Sequence, residues 1–100
     1  MATKLDAQNA RAREALILPY KRKIASLAIR ADFFKDEGKK GDVAERAREA
    51  IAEIDAQVED LAAIKFPAET KAAVAQAEVD KMKASYADIR KTLVALTAAA

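Results

Sequence analysis

Glu45, Glu49 and Glu53 follow one another by four residues, with Asp55, Glu59 and Asp60 close behind. On a helix the three glutamates share one face. Acids grouped in this way can bind divalent cations or act as acid and base in glycoside hydrolysis. Arg46 and Arg48 are interleaved with them, however, and no glycine-bearing calcium loop is present. A helical di-iron site would need Glu-x-x-His, and the chain contains no His, no Cys and no Trp. Without His, the usual general base near neutral pH and the commonest transition-metal ligand are missing. Without Cys there is no thiol nucleophile, thiolate metal site or disulfide. The acids are therefore expected to form a charged outer face. No catalytic residue, metal site, cofactor or small-molecule substrate is assigned, and the chain is expected not to be an enzyme.

The second candidate is basic. Tyr20-Lys21-Arg22-Lys23 forms a run, with Arg11, Arg13 and Arg30 around it. Lys39 and Lys40 follow further on. Together Arg11, Arg13, Lys21, Arg22, Lys23, Lys39 and Lys40 could make a footprint for a phosphate backbone. The net charge is only +2. Residues 1–41 carry ten Lys and Arg against five Asp and Glu, and residues 42–66 carry three against seven. The basic first segment thus has an acidic neighbour to pair with.

These residues must be positioned by helices. Alanine supplies roughly a quarter of the 100 residues, and with Leu, Glu, Lys and Arg it passes the half that marks long helices or coiled coils. Gly and Pro number two each, and aromatics are 5%, which leaves little for turns and sheets. Ala72, Ala75, Val79, Met82, Tyr86, Ile89, Leu93 and Leu96 step by threes and fours, the seam of an amphipathic helix. Ala44, Ala47, Ile51, Ile54, Val58 and Leu61 repeat the rhythm, as do Ile17, Tyr20, Ile24, Leu27, Ala31 and Phe34. The expectation is all-α: a single domain over 1–100, an antiparallel three-helix bundle with helices over about 3–36, 42–65 and 67–98. Pro19 is expected to kink the first helix, the alternative being a break there. Asp42, with Glu45 three residues on, predicts a capping box for the second helix. Pro67 suits the first turn of the third, with Glu69 just after it. "IKFPAET" is so short that helices two and three could instead run on as one bent rod.

Gly38-Lys39-Lys40-Gly41 followed by a helix resembles the GxxG loop of a KH domain. That resemblance implies a loop clamping a nucleic-acid backbone between two helices. The flanks differ: Lys35-Asp36-Glu37 stands where apolar residues belong, Asp36, Glu37 and Asp42 would repel phosphate, and no strand pattern surrounds the pair. Read from its residues, the stretch is a turn between helices, Gly38 closing one and Asp42 opening the next. "ADFFKDEGKKGDVAERAREAIAEID" is also similar to the middle of a tetratricopeptide repeat, which implies a helical hairpin.

One apolar feature lies off the seam. Ile29 and Phe33, one turn apart, project roughly opposite Ile24, Leu27 and Ala31, and Leu18 extends that side. Either helix one sits centrally and buries both faces, or Leu18, Ile29 and Phe33 form an interface for a partner or another copy. The reading favoured by the sequence is a non-catalytic helical interaction or assembly protein. It would be an accessory or structural subunit of a larger assembly, of the phage or secretion kind, or a self-associating bundle. The alternative is a nucleic-acid-binding accessory protein using the basic side of helix one. Charged residues interrupt the amino terminus and no run approaches membrane length. A cytoplasmic location, or incorporation into a larger particle, is expected, with no membrane partner.

Overall fold

The computed structural model describes residues 4–37, 42–68 and 70–98, with side chains from residue 7 to 97. It contains three α-helices: α1, Lys4–Glu37; α2, Val43–Ala62; and α3, Ala72–Ala98. No strand occurs among the described residues. Gly38, Lys39, Lys40 and Gly41, the whole GxxG-like loop, lie outside the described residues, as does Glu69.

The chain runs up, down and up. Lys23 and Arg30 of α1 reach Glu53 of α2, and Glu37 reaches back to Arg46, so α1 and α2 are antiparallel. Asp55 of α2 meets Arg90 of α3, and Gln57 meets Tyr86, so that pair is antiparallel too. The α2–α3 interface is the most extensive of the three. It rules out the single bent rod.

The core lies along the seams. Ile17, Leu27, Ala31 and Phe34 of α1 are buried against Met82, Tyr86, Ile89 and Leu93 of α3 and against α2. On α2 the buried line is Val43, Ala47, Ala50, Ile54 and Leu61. This line is rotated slightly from the expected one: Ile51 and Val58 are only partly buried at its edge. Two alanines in its middle remove side-chain bulk and let the helices approach closely. No polar or charged residue is buried among the described side chains.

Two local features depart from the sequence expectation, and a third decides between its alternatives. First, α1 continues through Pro19 as a single helix, which excludes the break. The N–H that proline lacks would have bonded the carbonyl of Ala15, and both residues lie on the exposed side, where water can substitute. Second, Asp42 precedes α2 but its side chain makes no capping bond. The carboxylate instead accepts from Nε and Nη2 of Arg46, at 2.9 and 2.7 Å. In the bond to the guanidinium both partners are ionised, whereas in a cap bond to a backbone N–H only the acceptor is. Third, α2 ends at Ala62 and α3 begins at Ala72, so Pro67 is not in the first turn of a helix. Ile64 and Phe66 pack onto the core and hold the connection against the bundle end. Pro67 instead starts a turn, its carbonyl accepting from the N–H of Thr70 at 2.9 Å. The Lys71 carbonyl then accepts the first helical bonds, from Val74 and Ala75, both at 3.0 Å.

Candidate functional site

Successive residues of a helix are set 100° apart, so residues three and four apart form stripes. On α1 one stripe faces the core. The stripe diametrically opposite contains Leu18, Ile29 and Phe33, and all three are exposed: 41%, 70% and 56% of their surfaces. The structure therefore does not bury both faces of α1 within the bundle. Arg22, Ala25 and Ser26, between Leu18 and Ile29, are exposed as well. Phe33 is steadied by its neighbour, its ring lying edge-on to that of Phe34 with centroids 6.4 Å apart. Phe34 is buried and carries the Arg46 guanidinium 5.8 Å over its ring.

The flanks of α1 are tied down by charge. Glu53 receives Lys23 at 2.8 Å and Arg30 at 2.7 Å, all three side chains being about one-third exposed. The hydrogen bond from Lys23, with that from Arg30, holds the Glu53 carboxyl below its ordinary value against the opposing effect of burial. At the turn end, Arg46 bonds Asp42 and lies 3.7 Å from Glu37. Its hydrogen bonds push the exposed Asp42 carboxyl down as well. Sequence reading missed both Glu53 and Arg46 as hubs. The signal available was the opposite charge balance of the first two segments.

The basic residues do not share one surface. Lys23 is committed to Glu53, and Lys21 lies 3.5 Å from Glu14. Arg13 is half-buried, with its Nε out of contact with solvent, whereas Arg11 and Arg22 are exposed. By helical angle, Arg11 and Arg22 fall on the outer stripe and Arg13 and Lys23 on the inner side. Lys39 and Lys40 lie outside the described residues.

The acids of α2 are likewise separated in role. Glu53 faces α1, Asp55 pairs with Arg90 at 2.9 Å, and Glu45, Glu49 and Glu59 are exposed. Among the described residues no group of three or more potential metal ligands converges. The surface depressions are open grooves. One, between the ends of α1 and α3, is lined by Lys35, Lys91, Thr92, Ala95 and Leu96. A second lies under the α2–α3 connection, between Leu61, Phe66 and Val79. No described helix is long and apolar enough to cross a membrane.

Buried Tyr86 marks the centre of the bundle. Its hydroxyl lies 3.4 Å from the Tyr20 carbonyl oxygen and 3.3 Å from Gln57 Oε1, touching α1 and α2 from α3. Burial, with Tyr20 and Asp60 nearby, pushes its phenol up to about 12. This polar tip is satisfied within the fold.

Comparison of the chain with protein-family models, curated proteins and solved structures gives no match in any of the three.

Proposed function

We propose that this is a non-catalytic interaction protein that works by presenting the outer face of α1 to another protein, as a subunit of a larger assembly. It acts in the cytoplasm or within the particle it joins. The observation that carries this reading is the row of exposed Leu18, Ile29 and Phe33 opposite a complete core. Large side chains left in water on one face of a continuous helix are what a helix-docking interface requires. Burial of each such side chain contributes about 1.5–3 kcal/mol on docking, and a few central anchors carry most of the affinity of an interface. Lys23, Arg30, Glu53, Asp55 and Arg90 are engaged in bracing the helices against one another.

The test is a photo-crosslinking amino acid placed at position 29 in cells making the chain, with position 48 on exposed α2 as control. Adducts of discrete mass are expected from position 29 and not from position 48. An absence of adducts at 29, or equal labelling at both positions, would refute the reading.

A further inference from the structure

The outer face of α1 has an internal order that selects its occupant. Ala15, Leu18, Arg22, Ala25, Ile29 and Asp32 follow one another by threes and fours, and all are exposed. This is a second helical seam, with Phe33 beside it, and it needs a helix to pair with. A two-fold pairing of identical antiparallel helices sets residue i against residue j with a constant sum. Placing the axis between Ala25 and Ser26 sets Leu18 opposite Phe33 of the second copy. It also lays the stem of Arg22 over Ile29 of the second copy. The small side chains of Ala25 and Ser26 fall at the axis, where the helices come closest.

Charge points the same way. Arg11 and Arg22 precede the axis, and Asp32 and Asp36 follow it; Glu14, at the helical angle of Asp32, is paired with Lys21. Arg22, Asp32 and Asp36 take part in none of the ion pairs between described residues. Inverting a second copy brings each Arg22 to within three residues, about 4.5 Å along the axis, of the other copy's Asp32. It brings Arg11 within about one turn of Asp36. A parallel pairing would set Arg22 against Arg22 and Asp32 against Asp32, which is repulsive. We infer that the outer face of α1 binds the same face of a second copy, antiparallel, about a two-fold axis between Ala25 and Ser26. The inference rests on the docking role of this face and adds the partner and the register.

The test uses the full chain. Light scattering should show the mass rising from 10.8 kDa toward twice that value between about 1 μM and 1 mM. R22D and D32R should each weaken association at least about tenfold. Mixed together they should associate, because one chain then carries carboxylates at both positions and the other guanidinium groups at both. The chain has no Cys, so single cysteines report the register directly. A15C mixed with D36C should form the heterologous disulfide. A15C alone should not, since its two copies would lie about 32 Å apart along the axis. All four sites are exposed, and circular dichroism checks that each variant is folded. A mass fixed at 10.8 kDa, self-crosslinking of A15C as efficient as its crosslinking to D36C, or R22D and D32R mixing no better than alone would each overturn the inference. If position 29 crosslinks to a different protein while the chain stays monomeric, the second copy is wrong and the docking face stands. If it crosslinks to nothing, both fall.

Discussion

Helix α1 has two apolar faces, and they live in different environments. Ile17, Leu27, Ala31 and Phe34 are buried between α2 and α3, whereas Leu18, Ile29 and Phe33 on the opposite side face water. The large residues do not separate the two sets: each has one Leu, one Ile and one Phe. What separates them is where the other helices lie. Glu53 draws in Lys23 and Arg30 on the inner side of α1, and Tyr86 reaches the Tyr20 carbonyl from below. These polar contacts orient α1 about its own axis, so one apolar stripe becomes core and the other becomes surface.

That contrast can be broken at several points, beginning with the largest effect. Leu27→Ala on the inner face leaves a cavity and should lower stability by about 2–5 kcal/mol in urea unfolding, a large share of the total for a domain this small. Tyr86→Phe removes the hydroxyl bonded to α1 and should lower it by about 1 kcal/mol. The wild type also acquires a base-sensitive window. A phenol raised from 10.0 to about 12 in the folded protein stabilises fully below pH 10.0, and this stabilisation is lost as pH rises to about 12. Unfolding followed by circular dichroism across that range should show a smaller loss in Tyr86→Phe.

Phe33→Ala tests the boundary between the faces. Its edge contact with Phe34 is worth about 0.5–1.5 kcal/mol, so a small loss of stability should accompany any loss of association. Glu53→Gln should lower stability by up to about 1 kcal/mol, because its partners remain partly solvated. Its acid dependence sharpens the point. A carboxyl depressed by Lys23 and Arg30 stabilises above the ordinary value of 4.5, and the contribution is lost as pH falls through the folded value. The variant should have a shallower acid limb in a stability-versus-pH series. Ile29→Asp, at the most exposed apolar site, should shift intrinsic stability by no more than about 0.5 kcal/mol.

Much of this architecture could be read from the sequence. The three seams are periodic over many turns, and the structure buries Ile17, Leu27, Phe34, Ile54, Tyr86 and Leu93 as the steps of three and four imply. Local rules failed where a longer-range partner competed. Asp42 has the type and position of a cap, but Arg46 one turn on takes its carboxylate. Pro67 has the form of a helix start, but Ile64 and Phe66 are pulled onto the core and the helix begins only at Ala72. The off-seam stripe of α1 was visible in the sequence as a pattern. Its exposure was not, because burial depends on the rotation of α1 against its neighbours, which the Glu53 contacts help to set. Among the basic residues, one-dimensional proximity misled: Arg22 and Lys23 are adjacent in sequence, but a 100° rotation leaves Arg22 on the outer stripe and turns Lys23 to Glu53.

The central claim is that the inner face of α1 holds the fold while the outer face holds a second copy. Melting temperature measured against protein concentration, for the wild type and Ile29→Asp, tests both halves at once, since association stabilises the folded state by mass action. The wild-type midpoint should rise with concentration, and that of Ile29→Asp should stay constant at the dilute wild-type value. A wild-type midpoint independent of concentration, or an Ile29→Asp midpoint far below the dilute wild-type value, would contradict it.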